Sequence, residues 1–423
     1  MSDPPGRVAQ TLKAQARWQV SHHATETWPP TDSKCDTIHS GADGSLQHMS
    51  MPDEAATANP GPHHWLPQPT GHDVTQALIG KDALDTAAQQ ELRAAVRSLL
   101  GPHGAESSLG GSVASNRESR EALWGALSAL LMRAGVGSVR GGHHSQCRWT
   151  TLSVVAQELG RVVVDLPFLT SAITAAAIAE RVAAYDLAAS LTQGRSTAVF
   201  LTPYEQPFQA TSARSFHDGR VWARVRGVAG VAGAQTMLIL CDDKLIGFEP
   251  QWSELTAAPC LDSTRTLVDV DVQGAHGTIL AEGDRAAYAV RAAAEATSAM
   301  LAVEQASLAA TCAVMLGTTP GVDADQLGTT VDKAIWSANY AVQCIAEDDP
   351  HASVAVATAR MLCSTASFRA ARLLTPDRTS AAHAVDAFAQ RSRGSAMAFG
   401  GPQWHRRRLA QLTTSPLSVA HSR

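Results

Sequence analysis

The sequence predicts an α+β chain in which two helical halves enclose a compact β region, and three observations carry that reading. From Ala77 to Gly101 and from Glu118 to Ala134, apolar residues recur three and four apart, as in Leu92, Val96 and Leu99 or Leu123, Leu127, Leu130 and Leu131. That is the spacing of amphipathic helices. After Gly194 the apolar runs become short, β-branched and bounded by Gly, Asp or Pro, as in TAVFLTP, RVWARVRGV, TMLILC and TRTLVDVDVQG, which is the strand pattern. From Asp284 to Leu316 and from Val331 to Leu374 the helical period returns, with Val290, Ala294, Leu301, Leu308 and Cys312 on one face of the first segment.

Taken in order, residues 1–76 read as a disordered extension, because the stretch to about Gly71 is rich in Pro, Ser, Thr, Asp, Gly and His and has no sustained apolar period. Its pairs His22–His23 and His63–His64 read as solvated surface rather than metal ligands. Residues 77–196 form the first helical domain, in which Leu152, Val155, Ala156 and Leu159 share one side of a helix that Gly160 stops, and a further helix runs from Leu169 to Ala189. Before both, the string from Gly141 to Cys147 reads as a loop, since its His and Cys spacing does not match a tetrahedral zinc site. Residues 197–283 form the β domain, with a hairpin at Asp218–Gly219. Residues 284–423 close the chain with helices.

Composition narrows the function. A chain of 423 residues, 45% of them hydrophobic, can bury a sizeable core. A net charge of -5 leaves no basic excess to neutralise phosphates, which argues against nucleic acid as a partner. The first residues lack an apolar core of signal-peptide type, and no eighteen-residue apolar stretch free of charges occurs, so no membrane span and a cytoplasmic location are expected. Seven cysteines scattered without a close pair fit a reducing compartment. No G-x-S-x-G string precedes a helix, so a serine hydrolase is not supported.

Several strings, in the right order, resemble the acyl-CoA dehydrogenase family. WTTLSVVAQELGRVVVDLPFL resembles the family's E-L-G-R helix end and Pro-containing loop, matching at Glu158, Leu159, Gly160, Arg161 and Pro167. AVFLTP resembles the A-x-A-L-T-E-P strand. LDSTRTLVDVDVQG, from Leu261 to Gly274, resembles the L-D-x-T-R segment of a bacterial branch that includes steroid-degrading enzymes. LAVEQASLAA and DDPHASVAVATARMLCSTASFRAAR resemble two helices of the final third, so the likeness spans about Ala77 to Leu412. It implies an amino-terminal helical domain, a small middle β-barrel and a carboxyl-terminal four-helix bundle. It also implies FAD between the domains and removal of two hydrogens from the α and β carbons of an acyl-CoA thioester, with a carboxylate as general base.

By the same resemblance, Thr202 meets the flavin ring, Gln326 and Gly328 belong to the R-x-Q-F-G flavin motif, and Gly400 and Gly401 remain from the HGGxG loop. The sequence departs from the family at the motif arginine, which is Ala324 in Ala324-Asp325-Gln326-Leu327-Gly328. An arginine fork to phosphate is about twice as strong as a neutral hydrogen bond, so its loss weakens flavin affinity. The strand that usually reads G-T-K is matched to Ala223-Arg224-Val225, where Arg224 and Arg226 read as exposed strand charges. No carboxylate occurs in FGGPQWHRRRLAQL, where many members place their base; the alternative position points to Glu295, with Glu304 assigned to helix packing. The leading expectation is a flavin-dependent acyl-CoA dehydrogenase acting on a bulky or steroid-derived thioester as a homo- or hetero-oligomer. The alternatives are a non-catalytic or half-site subunit of a heteromer, or a flavin-free thioester-binding relative.

Overall fold

The computed structural model describes residues 87–101, 117–136, 142–206, 208, 214–317, 323–374 and 382–414. The extension expected over residues 1–76 lies outside them. Three helices open the described chain: α1 (Ala87–Leu100), α2 (Arg117–Arg133) and α3 (Gly142–Gly160). Their periodic positions Leu92, Val96, Leu127, Leu131, Leu152 and Val155 are all buried. The loop expected from Gly141 to Cys147 is corrected by α3, which already begins at Gly142. A glycine in the first turn costs little, because the amide groups there have no partner within the helix in any case. Glu158 of the E-L-G-R string is buried beneath arginines, accepting from Arg97 Nη2 at 2.7 Å and from Arg161 Nη1 at 2.7 Å. At Gly160 a Cβ would lie 2.3 Å from the Glu304 carbonyl, so this glycine lets a later helix approach closely.

The single helix expected from Leu169 to Ala189 is three pieces: a π-helical segment (Phe168–Ala175), α4 (Ala176–Arg181) and α5 (Tyr185–Thr192). The physical reason is local. Thr174 Oγ1 donates to the Leu169 carbonyl at 2.8 Å, five residues back, within the wide turn, and Ala183 then takes φ 62° to reverse the chain before α5.

Among the described residues seven strands follow: β1 (Ala198–Phe200), β2 (Arg214–His217), β3 (Arg220–Ala229), β4 (Thr236–Cys241), β5 (Lys244–Phe248), β6 (Ser253–Ala257) and β7 (Leu267–Glu282). The Asp218–Gly219 hairpin forms as expected, with both residues at positive φ, 52° and 71°, between antiparallel β2 and β3. β5 and β6 had no signal of their own in the sequence. β7 joins the sheet: its first part pairs with β3 and β6 and its last part with β5, while β1 runs parallel to β4 at the far edge. Arg224 and Arg226 of β3 meet Asp271 and Asp269 across the strand pair. Val199, Leu201, Val221, Val225, Met237, Ile239 and Val270 form a core within the β domain.

The closing half holds α6 (Gly283–Leu316), α7 (Ala324–Ala346), α8 (Ala352–Leu373), α9 (Ala382–Met397) and α10 (Pro402–Thr414). The helical stretch expected from Val331 to Leu374 is two helices, because Asp348 takes φ 50° and Pro350 has no amide hydrogen to continue the ladder. α6 is long and apolar enough in composition to cross a membrane, yet 72% of its most apolar window is buried inside the fold. Its alanines at 286, 289, 293, 296 and 299 are buried and allow α7 and α8 to pack close to it.

Candidate functional site

Two buried polar assemblies flank the junction of the sheet with the helices. The first is a small cavity between the π-helical segment, the end of β1 and the turn after α9. β1 ends at Phe200, and the residues after it turn inward: Thr202 and Tyr204 are buried, with the Tyr204 amide donating to the Gly227 carbonyl at 2.9 Å. The Tyr204 carbonyl accepts from the Phe399 amide at 2.7 Å. Phe399 sits at φ 51°, uncommon for a residue with a side chain, and the Phe208 ring lies 4.9 Å from it, centroid to centroid, with Tyr204 at 5.2 Å edge-on.

Thr170, Thr202 and Tyr204 all line this cavity, and their hydroxyls are buried without a hydrogen-bond partner. Burial pushes the Tyr204 phenol up to about 12, so it stays neutral at physiological pH. Thr174, on the same wall, is satisfied instead through Thr297 Oγ1 at 2.8 Å. Gly230 presses against the Thr170 side chain, and a Cβ there would lie 2.2 Å from Oγ1. The cavity has room for about one water molecule.

The second assembly is saturated with charge. It grows from the L-D-x-T-R string: Asp262 is fully buried and accepts from the Thr264 amide at 3.0 Å, and Arg265 Nη2 donates to Glu304 Oε1 at 2.6 Å. Arg391 of α9 reaches the same carboxylate at 3.1 Å, lies 3.4 Å from Asp262 Oδ2, and donates to the carbonyls of Thr264 at 2.8 Å and Val164 at 3.1 Å. Burial works to raise the Glu304 pKa, but the two guanidinium groups outweigh it and hold the carboxyl below its ordinary range. Beside this pair of carboxylates, Arg360 of α8 is wholly buried and donates to the Ala398 carbonyl at 2.8 Å, to the Ser395 carbonyl at 3.2 Å and to Gln305. Burial lowers its pKa to about 10.

The residues singled out from sequence separate between these places. Thr202 lines the cavity, and Gly400 and Gly401 form the turn directly after Phe399, with Gly400 at φ 97° and a Cβ there 2.9 Å from the Trp404 ring. Gln326 lies exposed in the first turn of α7, its amide capped by Asp323 at 2.9 Å and its side chain accepting from Arg369. Gly328 is buried in the same helix. Glu295 is held by Arg408, whose Nη1 lies 3.3 Å from Oε2, and by Ser353 Oγ at 2.8 Å. Neither Glu295 nor Glu304 lines the cavity. Sequence reasoning missed Tyr204, Phe399 and Thr170. The first two adjoin strings it did mark, L-T-P and Gly400–Gly401, whereas Thr170 had no signal.

FAD, implied by the resemblance, meets a mixed reception here. Three unsatisfied hydroxyls suit the polar edge of a ring, but the aromatic side chains leave space for about one water. A three-ring isoalloxazine does not fit between Thr202 and Phe399 as they stand.

No family model and no curated protein matches this chain. Solved structures do. A variant of the Tcur3481-Tcur3483 steroid ACAD, that is, acyl-CoA dehydrogenase, matches with TM-score 0.62 and 15% identity, over 77% of this chain and 97% of that one. The ChsE4-ChsE5 complex from Mycobacterium tuberculosis matches with TM-score 0.62 and 17% identity, over 78% and 98%. A glutaryl-CoA dehydrogenase from Mycobacterium smegmatis in complex with FADH2 matches with TM-score 0.58 and 12% identity, over 81% and 98%. At these identities the likeness is one of fold, and it is the fold that the sequence strings had indicated.

Proposed function

We propose that this chain, built on the acyl-CoA dehydrogenase fold, is a half-site subunit of a hetero-oligomeric acyl-CoA dehydrogenase, and that a second family member supplies the general base and the motif arginine. The observation that carries this reading is the state of the carboxylates: Glu295 is paired with Arg408 and Ser353, and Glu304 with Arg265 and Arg391. A general base must be free to take a proton within hydrogen-bond reach of its substrate. Among the described residues, no carboxylate lines the cavity. Ala324 in place of the motif arginine points the same way. The reaction of such an assembly is α,β-dehydrogenation of an acyl-CoA thioester. A bulky, steroid-like acyl group is supported by the LDSTR string and by the likeness to a steroid ACAD. The free cysteines Cys241, Cys260, Cys312, Cys344 and Cys363 accord with a cytoplasmic setting.

The test is purification of the chain alone and after co-expression with a second acyl-CoA dehydrogenase encoded beside it, followed by turnover of a panel of acyl-CoA thioesters. Turnover by the co-purified complex and none by either chain alone is expected. Full turnover by the lone chain would reject the half-site role. A self-sufficient dehydrogenase is the second reading, favoured by the unpartnered hydroxyl of Thr202. On that reading Glu295 is the base, and Glu295→Gln lowers turnover by orders of magnitude.

A further inference from the structure

We propose that Phe399, backed by Phe208, occupies the place of a flavin ring in this chain, so that the chain excludes a flavin ring of its own. The resemblance aims two separate parts of the sequence at the flavin, Thr202 at the end of β1 and the Gly400–Gly401 turn after α9. The fold brings both to one cavity, and between them stand the aromatic rings. The Phe399 ring lies 4.9 Å from Phe208 and 5.2 Å from Tyr204, and Phe200 stacks on Phe208 at 5.9 Å with an interplanar angle of 8°.

Phe399 is held there by more than contact. Its amide donates 2.7 Å to the Tyr204 carbonyl, and that bond anchors a backbone at φ 51°, a conformation that disfavours any residue with a Cβ. The neighbouring Gly400, at φ 97°, could take up the turn without a side chain, yet it is the phenylalanine that is placed inward, 5% exposed. The closed rings leave Thr170, Thr202 and Tyr204 with buried, unpartnered hydroxyls, a costly arrangement for residues that serve packing alone. The cradle is polar and its filling is apolar, which is the pattern of a ligand site closed by a side chain of the same protein. This inference rests on the flavin-facing assignment of Thr202 and Gly400–Gly401, and it does not depend on whether a second subunit exists.

The experiment is a fluorescence titration of FAD with the full-length wild-type chain and with Phe399→Gly, which removes the ring and suits the positive φ. Phe208→Ala is the second variant, and circular dichroism confirms that each is folded. The expected result is no saturable flavin binding by the wild type and at least a tenfold gain in one or both opened variants. Stoichiometric flavin on the wild-type chain would overturn the proposal. Folded variants that bind no better than wild type would overturn it too, since the rings would then not be the barrier. The half-site role is judged separately, by whether turnover requires the partner chain.

Discussion

The charged assembly around Glu304 and the cavity around Thr202 are both buried, both polar and both set where sheet meets helices, yet they differ in how far their polar groups are paired. Asp262 Oδ2 and Arg265 Nε lack a hydrogen bond in the first but still face opposite charge at 3.4 Å and 3.8 Å, whereas the cavity hydroxyls face none. Glu304 meets two guanidinium groups, and Arg391 donates to four oxygens, on Glu304, Thr264 and Val164, and lies 3.4 Å from Asp262 Oδ2. Across the cavity, three hydroxyls have no partner. A charge-paired network ties elements together, here the segment before β7 to α6 and α9, and removing one member strands the others. An unsatisfied set costs stability while nothing binds it, so its members can be removed cheaply but not without consequence for binding.

The largest expected effect breaks the charged assembly. Glu304→Ala leaves Arg265 and Arg391 facing one another without their shared carboxylate and should cost ~3–5 kcal/mol, read as a fall in the urea midpoint or as loss of soluble protein. A destabilisation under ~1 kcal/mol would mean that solvent reaches these arginines and that they are not the buried network they form here.

The next effect lies in α10, which follows the Gly400–Gly401 turn. His405 is 1% exposed, and burial, with Arg360 and Arg408 nearby, pushes its pKa down from 6.5 to about 2. The folded state therefore keeps the ring neutral while the unfolded state protonates. The unfolded chain binds the extra proton between pH 6.5 and about 2, so stability is full above that window and falls as pH drops through it, by ~1.4 kcal/mol per unit. Relative to full stability at high pH, the loss at about pH 5 is about 2 kcal/mol, and His405→Phe should flatten that limb of a stability-against-pH curve. A slope unchanged by the substitution would assign it to other groups.

The smallest effect sharpens the contrast. Thr202→Val replaces an unpartnered hydroxyl by a methyl group of similar shape, which removes the cost of burying it, so stability should rise, by about 1 kcal/mol. In a Phe399→Gly background, the same substitution should weaken whatever flavin binding the opened cavity acquires. A marked destabilisation by Thr202→Val alone would show that the hydroxyl is in fact satisfied in solution, and the difference between the two regions would shrink.

Much of this was legible beforehand. The helix, sheet, helix order, the Asp218–Gly219 hairpin and the end of α3 at Gly160 follow from period and turn chemistry that neighbouring residues share. Thr202 and the Gly400–Gly401 turn were marked by their strings. The break at Ala183 was not legible, because nothing in the apolar spacing from Leu169 to Ala189 marks the residue that takes φ 62°. The role of Arg391 was equally hidden: its partners lie 127 residues away at Thr264 and 87 away at Glu304.

What the amino-acid order determined, then, is the kind and sequence of elements, since a helix or a strand is written in spacings of two to four residues. What only the tertiary structure decided is which polar groups end with partners and which without. That depends on side chains brought together across the whole chain, and no local pattern distinguishes the threonine that lines a cavity from one that closes a bond.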